Sequence, residues 1–127
     1  MGCFYVGYNW RRTVNGQSKI GETGKKTPAQ RFAVIRQKEP FECVKYIILE
    51  NETKSERLFV ESFVRMNLDR MAGYTQTKND HFNYTITKGH KKEQAYIFAN
   101  LAIDLAKQAC EIAGIKYTDG DKKYKKG

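Results

Sequence analysis

Alternating apolar and polar positions indicate three short strands in the first half of the chain. Residues 3–8 and 17–22 are strand-like runs, and the Asn15-Gly16 pair between them favours the φ > 0 geometry of a hairpin turn. The run 41–49 begins with alternation and ends fully apolar, which is typical of a strand buried along its second half. We therefore predict a β-hairpin followed by a third strand at the centre of a sheet.

Three further segments have the spacing and capping residues of helices. The first, 27–37, begins with a threonine cap followed by proline, and Pro40 prevents it from continuing. The second covers 53–68, and the third is the amphipathic stretch 91–113, for which Gly114 is a natural stop. These segments predict one short, one medium and one long helix.

The order of these elements predicts one small α/β (α+β) domain. A further strand-like run, 81–87, precedes the long helix, so the predicted order is β-β-α-β-α-β-α. We assign residues 1–118 to the domain. Residues 119–127 have the basic, polar composition of a flexible tail.

Composition restricts the partners and the compartment. The 127 residues include 23 Lys and Arg against 14 Asp and Glu, a net charge of +9 that favours polyanions such as nucleic acid. Cys3, Cys43 and Cys110 form no CxxC pair, so we expect buried thiols rather than disulfides or a zinc site. No apolar run approaches the ~20 residues of a membrane span. We expect a soluble, cytoplasmic protein with no membrane partner.

Tyrosine, arginine and glutamate side chains supply the chemistry of phosphodiester cleavage. This reaction needs a nucleophilic water, stabilisation of phosphate charge and usually a divalent cation. Tyr5 offers a phenol that orients or deprotonates water, and Glu56 offers an oxygen ligand for Mg²⁺ or Mn²⁺. Arg31 offers a planar guanidinium group that can bind a phosphate. Each has a simpler explanation: Tyr5 as a core or edge aromatic, and Arg31 as a solvated helix residue.

Glu56 has a competing role on its own helix. It completes a capping box with Thr53, which explains it without a metal. Positions 56, 59, 60 and 63 share one face, however, so Glu56 stands at the end of an apolar stripe while Glu61 faces away toward Arg65. A carboxylate there is costly unless it has a partner, and a cation is one possible partner.

Four basic residues are candidates for contacts with nucleic acid, and a fifth, Lys19, is a candidate for the catalytic site. Arg11 and Arg12 lie in the predicted hairpin loop, and Lys25 and Lys26 lie beside the start of the first helix, where anions bind favourably. Lys19 begins the second strand's Lys-Ile-Gly segment. Its simpler explanation is an exposed lysine at a strand edge.

In this order the motifs resemble the GIY-YIG nuclease superfamily, in the branch whose second motif is Lys-Ile-Gly. The resemblance covers about residues 3–68 and the strand around Phe82, but not the final helix. The matching segments are Cys3-Phe4-Tyr5, Lys19-Ile20-Gly21-Glu22-Thr23, Arg31, and the run from Glu56 to Phe63.

The resemblance implies a three-stranded antiparallel sheet flanked by helices, to which this chain adds a C-terminal helix. It also implies cleavage of DNA assisted by one divalent metal, Mg²⁺ or Mn²⁺. When the family's roles are assigned to the matching residues of this chain, Tyr5 positions or activates the water, Arg31 stabilises the phosphate, and Glu56 holds the metal. Lys19 stands where the family more often has tyrosine, so either it takes over as a phosphate contact or base, or the site is weakened.

Several questions stay open at this level. The family's asparagine matches either Asn67 or Asn83. The leading function is a metal-dependent DNA endonuclease, and the alternative is a non-catalytic nucleic-acid-binding module on the same fold. A third possibility is an assembly subunit that dimerises through the helix 91–113, although core packing explains that apolar stripe equally simply. The chain is therefore either a monomer or a homodimer.

Overall fold

A six-stranded antiparallel sheet with two helices on one face makes up the part of the chain that the computed structural model describes. That part comprises residues 2–8, 17–25, 29, 43–71, 74–76, 83–86 and 92–123. The strands are β1 (Gly2–Tyr8), β2 (Gln17–Thr23), β3 (Cys43–Glu50), β4 (Tyr74–Gln76), β5 (Asn83–Ile86) and β6 (Lys116–Lys123). The helices are α1 (Lys54–Asp69) and α2 (Lys92–Ala113).

The predicted α+β class is confirmed, whereas the three-stranded sheet is wrong. The strands lie in the order β4-β5-β2-β1-β3-β6, so β1, β2 and β3 are adjacent and the predicted strand 81–87 is present as β5 beside β2. Strands β4 and β6 extend the sheet on its two sides. β1 and β2 form the centre, and β3 lies between β1 and β6 rather than at the centre. The added strands satisfy backbone groups that β2 and β3 would otherwise leave unpaired along their outer edges.

The predicted tail is wrong at residues 119–123, which belong to β6. This strand pairs with β3 along its whole length, from Cys43 opposite Lys123 to Glu50 opposite Lys116. An ion pair of 2.9 Å joins Asp119 to Lys107 of α2. Charged residues are common on edge strands, where they discourage pairing with other chains. The composition of β6 therefore resembles that of a disordered segment.

The hydrophobic core lies between the helices and one face of the sheet. Phe4 and Val6 of β1 point into it, together with Val64 of α1 and Phe98 of α2. Most of the predicted apolar stripe of α2 is buried there, so core packing accounts for it, although Ile112 is 68% exposed. Gly114, with φ of 71°, ends α2 as predicted, since that backbone conformation favours glycine.

Helix α1 buries Val60 and Val64 as predicted, but the buried face also includes Glu61 and leaves Phe59 exposed. Its buried residues are Val60, Glu61, Val64 and Leu68, while Phe59 is exposed. The positions 60, 64 and 68 repeat every four residues and place aliphatic side chains on the sheet. Phe59 contacts Phe63 at the margin, with ring centroids 6.0 Å apart. Glu61 therefore faces inward, in contrast to the prediction that it points away.

Other predictions are confirmed or fall outside the described residues. The three cysteines are free and buried, and burial raises the pKa of Cys3 to about 12 and that of Cys110 to about 11. Across the described ranges, neither helix has the length and apolar character to cross a membrane. The hairpin loop and all of the predicted first helix except Ala29, which is helical, lie outside those ranges.

Candidate active site

Tyr5 and Lys19 lie on the same face of the sheet, on neighbouring central strands. The register pairs Tyr5 with Gly21 and Gly7 with Lys19, and paired residues of antiparallel strands point to the same side. Tyr5 is only 2% exposed. A Cβ at Gly21 would lie 2.5 Å from the Tyr5 hydroxyl, so the glycine makes room for the ring. The Lys-Ile-Gly glycine thus has a packing role.

Glu56 forms a capping box at the start of α1. Its Oε1 accepts a hydrogen bond from the Thr53 backbone N–H at 2.9 Å, and its own N–H donates to Thr53 Oγ1 at 3.2 Å. The predicted capping box is therefore confirmed, and it engages the Glu56 carboxylate at the start of α1. Helix α1 packs on the face of the sheet opposite to Tyr5.

The other basic candidates are only partly described. Lys25 has an exposed side chain, and its N–H donates to Thr23 Oγ1 at 3.3 Å. The remaining four candidates lie outside the described residues, namely Arg11, Arg12, Lys26 and Arg31.

Glu61 is the carboxylate that the fold places against β2. It is 8% exposed and lies one turn after Arg57 on the buried face of α1. Burial raises its pKa to about 7, with the negative charge of Glu22 as the second cause. Arg65, Lys19 and a hydrogen bond from the Glu22 backbone N–H oppose this rise in pKa.

Glu61 interacts electrostatically with Lys19 and Glu22, which lie on β2 near the end of its described pairing with β5. The described pairing between β2 and β5 covers only Gln17 to Lys19. Beyond Lys19, the β2 backbone groups that point away from β1 can bond to a side chain. The Glu61 carboxylate accepts one of them, the N–H of Glu22. Charged residues thus form a cluster around Glu61 where α1 lies against β2.

The predicted stripe of Phe59, Val60, Phe63 and Val64 is centred on a face that leaves Glu61 outside, so sequence reasoning does not find this residue. The spacing of Val60, Val64 and Leu68 carried the correct signal, since a helix face centred on these positions also includes residue 61. A glutamate inside such an aliphatic face is uncommon without a function or a partner.

A bridge of three charged side chains borders the cluster. Arg57 Nε donates to Glu22 Oε2 at 3.0 Å, and its Nη1 donates to Glu52 Oε1 at 2.7 Å. Glu52 Oε2 also accepts from the Gly2 N–H at 2.9 Å. Burial of Glu52 opposes ionisation, but the bonds from Arg57 and Gly2 outweigh it and hold the pKa of this carboxyl below its ordinary value.

The two candidate asparagines have different surroundings. Asn67 Nδ2 donates to the Phe63 carbonyl oxygen at 2.8 Å, which occupies its amide within α1. Asn83 of β5 lies opposite Lys19 in the strand register. The fold therefore places the backbone of Asn83, rather than Asn67, beside the charged cluster.

A separate cavity of about 390 Å³ lies between α2 and strands β3 and β6. Lys45 and Asn100 line it and form a 2.6 Å hydrogen bond, and the Lys107–Asp119 ion pair lies at the same cavity. None of the predicted site residues lines it. Its charged groups are largely engaged with neighbouring side chains, so it is a weaker candidate than the Glu61 cluster.

Comparisons of the chain with family models, curated proteins and solved structures find no match. The described residues also contain no group of three or more His, Cys, Asp or Glu arranged to hold a metal ion. The candidate site therefore rests on the geometry around Glu61 and on the motif resemblance.

Proposed function

We propose that this protein is a metal-dependent DNA endonuclease of the GIY-YIG type, with Glu61 rather than Glu56 as its essential carboxylate. The observation that carries the proposal is the position of Glu61: a carboxylate more than nine-tenths buried, held against β2 among the charges of Lys19, Glu22 and Arg65. Strongly perturbed carboxylates of this kind are frequent in active sites.

A divalent cation fits the donor chemistry of this cluster. Mg²⁺ commonly binds through one or two carboxylates and substrate phosphates and keeps several waters, so Glu61 would hold it together with a DNA phosphate and solvent. A positive ion would relieve both causes of the raised pKa of Glu61, namely burial and the charge of Glu22. When bound, Mg²⁺ or Mn²⁺ would polarise the phosphate and lower the pKa of a bound water.

The remaining roles belong to residues that the motif resemblance names. Lys19 lies close enough to act electrostatically on Glu61, so its ammonium would bind a phosphate oxygen at the cluster. Tyr5 lies on the same sheet face as Lys19, opposite to α1, so it would orient the attacking water across strand β2 from Glu61. Arg31 would stabilise charge on the phosphate, and Asn83 becomes the preferred asparagine from its position opposite Lys19.

The alternative is a non-catalytic nucleic-acid-binding module on the same fold. The burial of Tyr5 favours it, because a phenol that is 2% exposed must become more accessible before it can orient a water. Replacement of the second motif tyrosine by Lys19 favours it as well, and the charge of +9 suits either function. DNA binding that weakens steeply with salt, with no cleavage in any divalent metal, would support this alternative.

Nicking of supercoiled plasmid tests the proposal. The purified protein should convert plasmid to nicked or linear forms with Mg²⁺ or Mn²⁺ and should stop when a chelator is added. Glu61→Gln, Lys19→Ala and Arg31→Ala should each reduce the rate. The absence of chelator-sensitive cleavage by the wild-type protein would refute the proposed endonuclease activity and would favour the alternative of a nucleic-acid-binding module.

A further inference from the structure

The outward side of helix α1 is apolar along much of its length. Leu58 is 42% exposed, Phe59 39% and Met66 56%. These three residues lie with Ser62 on the same side of α1, because positions three, four, seven and eight apart are neighbours on a helix surface. The sheet and α2 pack against the other side of α1. Exposed apolar residues that adjoin one another in this way are typical of contacts between proteins.

The two ends of α1 carry charges of the sign that a single helix disfavours. The helix begins with Lys54 and ends with Asp69, and both residues are exposed. Because the helix dipole favours negative charge at the start and positive charge at the end, neither residue has the favourable sign for its position. A second α1 running in the opposite direction would place its Asp69 beside Lys54. The end charges of α1 are therefore complementary to those of an antiparallel copy of itself.

One register brings the apolar side and the end charges together. A two-fold axis beside Ser62 places Leu58 across from Met66 of the second copy, because these residues are four positions before and after Ser62. The same axis brings Lys54 near Asp69 of the second copy, since they are eight positions before and seven after Ser62. The small side chain of Ser62 lets the two helices approach closely at the centre. Apolar and charged residues thus favour the same partner, a second copy of this chain.

Arg70 is compatible with this register, although it also follows the end of α1. Arg70 and Lys54 are 16 residues apart, which puts them on opposite flanks of the apolar side. In an antiparallel two-fold pair each flank meets its own counterpart. Arg70 therefore comes close to Glu56, of opposite charge, rather than to Lys54 of the second copy.

We propose that α1 is a homodimer interface, in which two copies of this chain pair antiparallel about Ser62. This inference goes beyond the proposed function, because it requires neither DNA nor a metal ion. A contact centred on one 16-residue helix from each copy is small. The dimer should therefore be weak, with a dissociation constant in about the micromolar range or above.

Helix α2 is less suited to this contact. Its exposed apolar residues include Ile97 and Ile112, which are 15 residues apart. Exposed polar residues lie between them on the same side of the helix, namely Asp104, Gln108 and Glu111. The apolar surface of α2 is therefore interrupted, whereas that of α1 is continuous.

Sedimentation velocity over a concentration series, with no DNA or metal present, measures the equilibrium between monomer and dimer. We expect the fraction of wild-type dimer to rise with protein concentration. Met66→Glu should weaken the dimer at least ~10-fold, because it places a charge in the apolar contact. Ile112→Glu is the matched control, since Ile112 is 68% exposed on the other helix, and it should leave the dissociation constant unchanged.

Exchange of the charges at the ends of α1 tests the antiparallel register. Lys54→Glu and Asp69→Lys each place two pairs of like charges in the homodimer, so each should weaken it about tenfold. Both substitutions improve the match to the helix dipole, so neither should destabilise the folded protomer. An equimolar mixture of the two variants should form a heterodimer of near wild-type strength, because its end pairs are again of opposite charge.

A wild-type protein that is monomeric at every concentration would overturn the proposal and leave the apolar side of α1 to a different partner. Equal weakening by Met66→Glu and Ile112→Glu would overturn it as well. So would a mixture of Lys54→Glu and Asp69→Lys that dimerises no better than either variant alone, once circular dichroism has shown both to be folded. Because no substrate is involved, the presence or absence of DNA cleavage does not bear on the result.

Discussion

Replacing Glu61 with glutamine should make the protein more stable at about pH 8 and should change little at or below about pH 4.5. In the folded protein the carboxyl titrates at about 7, whereas its ordinary value is 4.5. Between these values the folded state holds a proton that the unfolded state has released, so the stability of the wild-type protein falls as pH rises. Because glutamine does not titrate, the Glu61→Gln variant should lack this contribution to the pH dependence of stability.

The structure sets the size of the effect. The difference between 4.5 and about 7 corresponds, at roughly 1.36 kcal/mol per unit, to about 3 kcal/mol at alkaline pH. Glutamine keeps an oxygen that can accept from the Glu22 N–H, so the main change is the loss of the buried charge. Urea denaturation of Glu61→Gln and wild type at both pH values measures the difference in unfolding free energy.

Glu111→Gln serves as the matched control, because Glu111 is an exposed glutamate on the other helix. Its effect on stability should be small at both pH values. The reasoning fails if Glu61→Gln changes the unfolding free energy equally at the two pH values, since Glu61 would then carry no raised pKa.

Three further predictions concern the fold. Glu56→Ala should lower the free energy of unfolding by about 1 kcal/mol by removing the capping box, while DNA cleavage per folded molecule should persist. An unchanged free energy of unfolding would contradict a stabilising role of the cap. Gly21→Ala should lower the free energy of unfolding by roughly 1–3 kcal/mol because the added Cβ meets the Tyr5 ring. Most of that loss should vanish when Tyr5 is also replaced by alanine, whereas additive losses from the two substitutions would refute the contact. Deleting residues 119–127 removes five of the eight residues of β6, so it should lower the Tm and speed amide exchange in β3, whereas a disordered tail could be removed without either effect.

Local sequence patterns predicted much of the central fold. Alternation placed β1, β2 and β3 correctly, and Thr53 and Gly114 marked the start of α1 and the end of α2. These features depend on residues that are close together in the chain, such as caps, turns and repeats. β6 was missed because its charged residues suit an edge strand as well as a disordered tail.

The site was predicted less well because it depends on contacts distant in sequence. The bridge from Arg57 to Glu22 spans 35 residues, and no local pattern indicates it. The rotation of α1 about its axis depends on which side chains pack against the sheet. The aliphatic side chains of Val60 and Val64 do so, while Phe59 is exposed. A rotation of about one residue places Glu61, rather than Glu56, on the buried face of α1.

The most direct test of the central claim is the Mg²⁺-dependent cleavage rate of Glu61→Gln beside that of Glu56→Gln, measured on the same supercoiled plasmid. We expect Glu61→Gln to lose at least ~100-fold in rate, the scale for removal of a group that stabilises transition-state charge, while Glu56→Gln retains activity. Loss of activity in Glu56→Gln with full activity in Glu61→Gln would contradict the account.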